Sequence, residues 1–494
     1  MTDYTSRYFT SSLKSSDTDL YNLINSEYHR QNEGIELIAS ENYTSQPVLD
    51  CLGSCLTNKY SEGQIGRRYY GGNQWIDKIE QLCKNRAMTL YNLDKNNWHV
   101  NVQPYSGSPA NFAVYTGLLK PNDRIMGLDL PSGGHLTHGF YTAKKSISAS
   151  SIYFQSLPYY IGPDDLIDFD DLESTAKRFK PKMIICGASA YPRDIDYSKF
   201  RHIADSVGAM LMCDMAHISG IVAAHNYHEL FPQMQNPFEW CDIVTTTTHK
   251  TLGGPRSGMI FVRRDLTNFG IDNASQAIDD AVFPGLQGGP HNHQIAGLAY
   301  QLQYATTPEF KNYMQKVVDN ARSLAVELQK LGFEVSSDGT DNHIVLVKLK
   351  NKGISGSKME WLCEQCDISI NKNCVYGDPN PMNPSGIRLG TSAMTMRGFG
   401  KTEFKFVAEK LNDIVNIGIE AQDEYGKKLI DFKNGINQQV DVFRDENVKV
   451  GTRPTIYKSN LNDIKHTIND FARRFPFYNN NNNDDDNDNN NDDN

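Results

Sequence analysis

The sequence lacks an uninterrupted apolar stretch of the roughly 20 residues that a membrane-spanning helix needs. Its first 20 residues also lack the apolar core of a secretory signal. They carry Asp3, Asp17 and Asp19 against only Arg7 and Lys14, so they do not have the basic character of a mitochondrial presequence either. We therefore expect no membrane association and a cytoplasmic location.

A strong charge of one sign is missing from most of the chain. The formal net charge is −10, but the terminal segment 479–494 contains only Asn and Asp, and subtracting its six Asp leaves −4. A weakly acidic body of this kind does not favour nucleic acid or an anionic membrane as the main partner. The tail itself has no apolar residue to bury, so we predict that it is disordered.

Cysteine is present, but without a disulfide or metal pattern. The nine cysteines are an odd number scattered without a repeating frame, which indicates reduced thiols. Cys363-Glu-Gln-Cys366 is formally a CxxC, but no second CxxC or HxxxH lies at zinc spacing. We interpret this segment as part of a helix and expect no metal ion.

The length of 494 residues exceeds the size at which one core usually keeps growing, so at least two subdomains are expected. From about residue 98, strand-like apolar runs alternate with helical periodicity at 109–119 and 200–207. This alternation predicts an α/β fold with a mainly parallel sheet, helices on both faces and ligands at the carboxyl ends of the strands. The predicted strands are 99–103, 124–130, 183–188, 209–214, 242–246 and 259–263.

Past about residue 305 the pattern changes. Apolar residues from Met314 to Leu331 recur at helical spacing, and Gly332 is a typical helix stop. Residues 344–349 then form a predicted strand of a smaller α+β domain. We predict four regions in all: an N-terminal arm at 1–45, a large domain at 46–305, a small C-terminal domain at 306–478 and the Asn/Asp tail at 479–494.

The most informative segment is Thr-Thr-Thr-Thr-His-Lys at 245–250, which places Lys250 between two predicted buried strands. An ammonium in a partly dry site loses charge stabilisation, so its pKa falls and the free amine can form an imine with an aldehyde. That is the requirement of a Schiff-base cofactor enzyme. A lysine in a polar loop that caps a strand is the alternative.

Two further charged residues fall in apolar patterns. Asp214 ends a predicted strand beside His217, where a carboxylate needs a cationic or hydrogen-bonding partner. A protonated pyridine nitrogen is one such partner, and a structural Asp that caps the next turn is the alternative. Arg388 lies in an apolar strand context, where an unpaired guanidinium is costly, and is a candidate fork for a substrate carboxylate.

Several loops offer ligand contacts. Ser-Gly-Ser at 106–108 lies where a strand gives way to a helix, so its amides and hydroxyls could converge on a cofactor phosphate or simply form a capping turn. The glycine pair 133–134 allows close backbone approach, and His135 could stack on a flat ring or be an ordinary loop histidine. The loop 283–290 could present amides across an interface or be structural. Glu62 is either a general acid or base or a solvated surface glutamate.

Together these segments resemble the serine hydroxymethyltransferase family, fold-type I enzymes that use pyridoxal phosphate (PLP). The resemblance runs from about residue 20 to about 478. Its motifs, in family order, are Glu-Leu-Ile-Ala-Ser-Glu-Asn-Tyr-Thr at 36–44, Gly-His-Leu-Thr-His-Gly at 134–139, Asp-Met-Ala-His at 214–217, the run ending at Lys250, and Asn-Lys-Asn at 371–373. It implies a three-layer PLP-binding domain and a smaller C-terminal domain.

The resemblance implies a cofactor role for each candidate. Lys250 would carry PLP as a Schiff base, Asp214 would pair with the pyridinium nitrogen and His135 would stack on the ring. His217 and Thr247 would position the cofactor's phenolic oxygen and the reacting imine. The other implied cofactor contacts are Ser106, Gly107, Ser108, Ser189 and His249, with Tyr60, Gly288 and Gly289 reaching across a dimer. The implied catalytic set is Lys250, Glu62, His135, Asp214, Thr247 and His249.

The resemblance also implies the reaction, which moves the hydroxymethyl carbon of L-serine to tetrahydrofolate and gives glycine and 5,10-methylenetetrahydrofolate. Arg388 would bind the substrate carboxylate, with Ser40 and Tyr70 beside it, and Glu62 would bind substrate and move protons near the transferred carbon. The implied folate contacts are Glu62, Tyr69, Leu130, Gly134, Leu136 and Asn373. Residues shared between chains imply a homo-oligomer, at least a dimer, and we expect a tetramer.

The chain departs from the family pattern at three places. Gln64-Ile65 stands where the family usually has Tyr-Pro, and Ser392 stands where Pro commonly follows Gly-Thr. The segment 378–384 differs in length and composition, near the expected folate pterin. None of these changes removes a catalytic group.

Two other functions are compatible with parts of this pattern. A folate-independent aldolase of 3-hydroxy amino acids would keep the cofactor chemistry, but the group Glu62, Tyr69, Tyr70 and Asn373 disfavours it. A non-catalytic scaffold or RNA-binding protein would keep only the fold. The intact lysine, aspartate and arginine set and the lack of a basic stripe disfavour that reading.

The Asn/Asp tail has no predicted role in the reaction. Deleting residues 479–494 is therefore expected to leave turnover unchanged, because a segment of this composition contributes nothing to a packed core. Steady-state rates of the truncated and full-length chains provide the measurement. A large loss of activity on truncation would refute the prediction.

Overall fold

The computed structural model describes residues 8–228, 230–231, 233–378, 383–445 and 448–476. The predicted disordered tail, the first seven residues of the predicted arm and residues 379–382 of the divergent segment lie outside these ranges.

A seven-stranded sheet forms the centre of the large α/β region. Its strands, in spatial order, are Trp98–Asn101, Gly258–Arg263, Ile243–Thr247, Met210–Asp214, Met183–Cys186, Arg124–Leu128 and Gln155–Tyr159. All neighbours pair in parallel except Gly258–Arg263, which runs antiparallel to both of its neighbours. The mainly parallel α/β fold predicted from the sequence is confirmed.

The two exceptions to the sequence prediction have local causes. Gly258–Arg263 runs antiparallel because the connection 248–257 contains no helix, and a parallel return needs a longer crossover. Gln155–Tyr159 was missed as a strand because Pro158 and two polar residues interrupt its apolar pattern. Proline is tolerated there since the strand lies at the edge of the sheet.

Both faces of this sheet are covered, as its continuous apolar runs require. Successive residues of one strand alternate between two core clusters: Ile184 and Cys186 contribute to one, and Met183 and Ile185 to the other. All four side chains are fully buried. The side chains that end these strands are therefore held on a rigid support.

A smaller antiparallel sheet has the order Glu334–Val335, Ile344–Lys348, Gly386–Gly390 and Asn371–Asn373. The long helix predicted before it spans Pro308–Lys330. Its first half packs into the core of the large sheet, and its second half packs with the small sheet. This helix therefore ties the two sheets together beside the candidate site.

The α-helices are Leu13–Ser16, Thr18–Glu33, Gln46–Leu52, Gln74–Leu90, Gly107–Leu118, Ala149–Tyr153, Phe169–Phe179, Tyr197–Val207, Ser219–His228, Pro237–Trp240, Ala274–Asp280, Asn292–Tyr304, Pro308–Lys330, Gly356–Gln365, Ser392–Met396, Lys401–Tyr425, Leu429–Asn437 and Ile456–Ala472. Single turns of 3₁₀ or π type are Cys55–Asn58, Leu136–His138, Thr267–Phe269, Ala281–Leu286, Ser336–Asp338 and Lys350–Lys352. Two-stranded ribbons join Ile35–Glu36 to Ile368–Ser369, Gly63–Gln64 to Arg67–Arg68, Tyr141–Thr142 to Lys145–Ser146, and Gln439–Asp445 to Val448–Pro454.

Cys363 lies in the helix Gly356–Gln365 and Cys366 caps its end, as the CxxC interpretation predicted. All nine cysteines are free thiols. No helix in the described part of the chain combines the length and the apolar character needed to cross a membrane.

Glu36 is a buried carboxyl that predicts a pH dependence of stability. Burial, together with the nearby Glu41 charge, raises the pKa of Glu36 from its ordinary 4.5 to about 8, while Arg30 opposes the rise. The folded chain therefore holds this proton more tightly than the unfolded chain, and the stability it contributes falls as pH rises through about 8. We expect Glu36→Gln to raise the melting temperature at pH 9 and to have little effect at pH 5.

The matched control is Glu409→Gln, which changes an exposed glutamate on the helix Lys401–Tyr425. Melting curves of both variants and the wild type at the two pH values make the comparison. An equal effect of Glu36→Gln at pH 5 and pH 9 would show that Glu36 does not titrate as described.

Candidate active site

A cavity of about 380 Å³ opens at the carboxyl ends of the parallel strands. Asp214 and Thr247 end two adjacent strands, and Ala188 follows a third. The volume suits a small organic ligand. The predicted site residues that line this cavity are Ser40, Ser106, Gly107, Ser108, His135, Ser189, Asp214, His217, Thr247, His249 and Lys250.

Lys250 lies three residues beyond the strand that ends at Thr247. Its Nζ donates a hydrogen bond to Thr247 Oγ1 at 2.9 Å. Burial lowers the pKa of Lys250 from 10.5 to about 8; Asp214 opposes this shift, while Arg388 and Arg256 add to it. A substantial fraction of the amine is therefore neutral near physiological pH, as nucleophilic attack on an aldehyde requires.

Asp214 is a buried carboxylate held ionised by its neighbours. Its Oδ2 accepts hydrogen bonds from His138 Nε2 at 2.9 Å and from Asn111 Nδ2 at 2.8 Å, and its Oδ1 accepts one from the amide of Ala216 at 3.1 Å. Burial alone would raise the pKa of Asp214, but the hydrogen bond and charge of His138 hold it well below its ordinary value. The side chain is thus a fixed negative charge inside the cavity.

His138 and Asn111 are site residues to which the sequence assigned no individual role. Thr245 Oγ1 donates to Asn111 Oδ1 at 2.6 Å, which turns the Asn111 amide nitrogen toward Asp214. The spacing of His135 and His138 was a usable signal, because side chains three residues apart in a helical turn lie on one side. The sequence contains no comparable signal for Asn111, because its hydrogen-bond partners are far away in the sequence.

The segment 106–108 lies at the amino-terminal end of the helix Gly107–Leu118. Ser106 is the N-cap residue but makes no side-chain capping bond, so the first amides of the helix have no capping partner there. A Cβ on Gly107 would lie 2.6 Å from Thr247 Cγ2, so only glycine allows this close approach. These backbone amides are therefore available to an anionic group.

His249 also lines the cavity, and its Nδ1 has no hydrogen-bond partner among the described residues. Burial, with the positive charges of Lys250 and Arg256, lowers the pKa of His249 to about 3. The imidazole is therefore neutral.

Arg388 is a buried guanidinium bonded to Ser189, one of the residues that line this cavity. It donates from Nη1 to Ser189 O at 2.7 Å and to Ser189 Oγ at 3.1 Å, and from Nε to Asn371 Oδ1 at 3.0 Å. No carboxylate in the described part of the chain lies within ion-pair distance of it, and burial lowers the pKa of Arg388 to about 10. An anion that enters the cavity would supply the missing counter-charge.

Another group of predicted residues lies together outside this cavity. The rings of Tyr60 and Tyr70 are in edge contact, with centroids 5.3 Å apart. A Cβ on Gly289 would lie 3.3 Å from the Tyr60 ring, and one on Gly288 would lie 3.3 Å from Glu62 Oε1. This aromatic–glycine cluster, defined as Tyr60, Glu62, Tyr70, Gly288 and Gly289, contributes no lining to the Lys250 cavity of the same chain.

None of the predicted folate contacts lines this cavity. Leu136 is 45% exposed and follows the cavity residue His135. Gly134 must be glycine, because a Cβ there would collide with the Leu128 carbonyl. Asn373 is partly buried, and Tyr69 is exposed and contacts the Phe283 ring edge-on. Leu130 is partly buried beyond the strand Arg124–Leu128.

His135, His138 and Asp214 place one ligand atom each within 4.8 Å of one another. This spacing would also admit a metal ion. The His138–Asp214 pair is already joined by a hydrogen bond, so the cluster is complete as a hydrogen-bonding unit without one. Metal analysis of the purified protein distinguishes the two arrangements.

Comparisons with known proteins agree with this geometry. Residues 13–411 match the family model described as serine hydroxymethyltransferase. The chain is 52% identical over 463 residues to "Serine hydroxymethyltransferase 3, chloroplastic" of Arabidopsis thaliana, which covers 93% of this chain and 83% of that protein. It is 52% identical over 431 residues to the cytosolic serine hydroxymethyltransferase of Oryctolagus cuniculus, covering 85% and 88%. It is also 48% identical over 477 residues to the serine hydroxymethyltransferase of Bombyx mori, covering 95% and 98%. The chain belongs to the serine hydroxymethyltransferase family.

Proposed function

We propose that this enzyme transfers the hydroxymethyl carbon of L-serine to tetrahydrofolate, giving glycine and 5,10-methylenetetrahydrofolate, with PLP as its cofactor. One observation carries the proposal: a single cavity holds a lysine amine with a lowered pKa, a fixed carboxylate and an uncapped helix end, and its lining residue Ser189 is bonded to a guanidinium without a carboxylate partner. These are the four complementary groups that PLP and an amino acid require.

The chain's own donor set fits PLP. Lys250 would attach to the aldehyde, Asp214 would bind the ring nitrogen, and the amides and hydroxyls at 106–108 would bind the phosphate, with His249 beside them. His135, whose pKa burial lowers to about 4, would lie against the ring as a neutral imidazole. When bound, PLP supplies an electron sink for the pair left on the substrate's α-carbon.

Asp214 would strengthen the ability of PLP to accept this electron pair. Since its carboxylate stays ionised at neutral pH, it favours a protonated ring nitrogen. His138 and Asn111 fix its orientation from the opposite side.

Arg388 orients the amino acid. A guanidinium without a carboxylate partner in a site of low dielectric binds a carboxylate strongly and in a defined plane. Ser40 lines the same cavity and would contribute a hydroxyl to this contact. Thr247 is hydrogen-bonded to Lys250 and would hold the amine side of the reacting centre.

The aromatic–glycine cluster would complete the site of a neighbouring subunit. In the proposed dimer, Tyr60 and the glycine pair would reach the neighbour's cofactor phosphate, Tyr70 its amino acid, and Glu62 its folate. This placement would account for the position of the cluster away from the cavity of its own chain. Two such dimers would form the proposed tetramer.

The folate contacts proposed above are Glu62, Tyr69, Leu130, Gly134, Leu136 and Asn373. We also propose the four-region division at residues 45, 305 and 478, and a cytoplasmic location. Relatives named cytosolic support the location, although another relative is named chloroplastic. A fluorescent fusion imaged with compartment markers would test it.

The experiment that tests the proposed reaction measures serine cleavage with and without tetrahydrofolate in PLP-saturated protein. The proposal predicts rapid glycine formation that depends on tetrahydrofolate. A rate that ignores tetrahydrofolate would instead identify a folate-independent 3-hydroxy amino acid aldolase. No cleavage and no bound PLP would leave only a scaffold that retains the fold.

A further inference from the structure

His343 is a buried histidine that does not line the cavity. It precedes the strand Ile344–Lys348 of the small sheet, and its side chain is fully buried. Its backbone carbonyl accepts a hydrogen bond from the amide of Thr391, so the residue is held on both its main-chain and side-chain sides. From this position the ring reaches into the large α/β region.

The Nε2 atom of His343 touches two site elements at once. It lies 3.3 Å from His217 Nδ1 and 3.1 Å from the carbonyl oxygen of Ala39, the residue before Ser40. The planes of the two imidazole rings differ by 19°, and the ring centroids lie 5.5 Å apart. His343 thus connects the cavity residue His217 with the segment that carries Ser40.

The contacts of His343 determine which of its two ring nitrogens carries the hydrogen. A carbonyl oxygen can only accept, so the contact with Ala39 requires a hydrogen on His343 Nε2. His343 Nδ1 is buried without a partner among the described residues, which is tolerable for a bare lone pair but costly for an N–H group. His343 is therefore the neutral tautomer with its hydrogen on Nε2.

The hydrogen on His343 Nε2 also determines the tautomer of His217. The protonated Nε2 of His343 has no lone pair to accept with, so His217 Nδ1 cannot donate to it and instead shares the one hydrogen of His343 Nε2 with the Ala39 oxygen. In a neutral imidazole the hydrogen of His217 therefore lies on Nε2. That nitrogen is the one near Ser189, 3.4 Å from its Oγ, on the wall of the cavity. His217 is neutral because burial holds its pKa well below the ordinary value, with Lys250 and Arg388 adding to the effect.

We propose that His343 is a positioning residue that fixes His217 in the tautomer whose Nε2–H donates into the cofactor cavity. The donor would meet an oxygen of the bound cofactor; that part rests on the proposed function, whereas the tautomer assignment does not. Because His343 directly precedes a strand of the small sheet and His217 follows a strand of the large sheet, the hydrogen-bonding state of His217 depends on how the two sheets pack together.

Neutron diffraction of the protein tests the tautomer directly. Deuterium on Nε2 of both His217 and His343 is the expected result. Deuterium on His217 Nδ1, or its absence from His343 Nε2, would overturn the proposal. This result does not depend on whether PLP binds, so it separates the proposal from the proposed reaction.

Three substitutions at His343 test the consequence for the cofactor. The side-chain nitrogen of glutamine lies near the position of Nε2, so His343→Gln keeps the donor, whereas the shorter His343→Asn and the apolar His343→Leu lose it. We expect the two donor-lacking variants to weaken PLP binding about 3- to 10-fold, as for one hydrogen bond, and to shift the absorbance of bound PLP. His343→Gln should stay close to the wild type in both measurements.

A His217→Ala background provides the decisive control. If His343 acts through His217, His343→Leu should change neither PLP affinity nor absorbance further in that background. An equal effect in both backgrounds, or no rescue by glutamine, would assign His343 to general packing and overturn the proposal. If His343→Leu fails to fold, the glutamine and asparagine pair makes the same comparison.

Discussion

Lys250→Ala is expected to lower turnover by about 1,000-fold or more while the protein remains folded. The substitution removes the amine that would bind the cofactor covalently, and no neighbouring side chain can replace a nucleophile at that position. The melting temperature should not fall much, because burial already disfavours the Lys250 charge. Initial rates of serine cleavage with saturating PLP and tetrahydrofolate, together with a melting curve, are the measurements.

Lys358→Met is the matched control for Lys250→Ala. Burial lowers the pKa of Lys358 to about 8 as well, but its Nζ donates to Gln422 Oε1 at 2.8 Å and to Gly426 O at 3.1 Å, away from the cavity. This variant should lose about 1–3 kcal/mol of stability, because Gln422 Oε1 and Gly426 O would be left without their hydrogen-bond donor. Its turnover should be unchanged. Near-normal turnover in Lys250→Ala would refute the Schiff-base assignment.

Arg388→Gln is expected to reduce kcat/KM for serine by about 100-fold or more, mostly through KM. Truncating one partner of a buried charge pair typically costs about 2–5 kcal/mol, and here the partner would be the substrate carboxylate. PLP binding should be nearly unchanged. Arg388→Lys should restore little, because an ammonium cannot reproduce the planar fork that bonds Ser189 and Asn371.

Arg201→Gln separates this effect from the general cost of removing a buried arginine. Arg201 Nη1 pairs with Asp242 Oδ2 at 2.8 Å, so its charge already has a carboxylate partner within the protein. We expect that variant to lose stability without a change in KM. If Arg388→Gln left KM for serine within about twofold of the wild type, Arg388 would not be the carboxylate clamp.

Four histidines in or beside the cavity, His135, His217, His249 and His343, act as neutral groups. Burial is the largest cause in each case, and it lowers the pKa of His135 to about 4 and those of His249 and His343 to about 3, with His217 also well below its ordinary value. Positive charges at Lys250 and Arg388 reinforce the shift in His135, His217 and His343. The cavity therefore offers its positive charge to an anionic ligand from the lysine and arginine side chains, and the imidazoles offer directed hydrogen bonds.

The sheet was predictable from sequence wherever strands are buried on both faces. The strand ending at Asp214 was placed to within one residue, because its apolar run is continuous. The strand Gln155–Tyr159 was not, since its polar residues and proline are allowed only by its edge position. Whether a strand lies at the edge depends on the assembled sheet and cannot be identified from the local hydrophobic pattern of the sequence.

The candidate site was predictable where its residues end parallel strands, which converge on one edge. Asp214 and Lys250 could be paired on that basis, and the structure places both in one cavity. The contact of His343 could not be predicted, because its partner His217 lies 126 residues away in a turn after a strand of the large sheet. The bond from His138 to Asp214 likewise depends on how the loop after Arg124–Leu128 folds back over the strand ends.

The visible absorbance of the purified protein, recorded before and after adding glycine and tetrahydrofolate, tests the central claim most directly. We expect an imine absorbance band from PLP on Lys250, and we expect this band to shift to longer wavelength only when glycine and tetrahydrofolate are both present. A band that responds to glycine but ignores tetrahydrofolate would contradict the folate-dependent reaction. The absence of any imine band, even after PLP is added, would contradict the assignment of Lys250 and of the cavity as a whole.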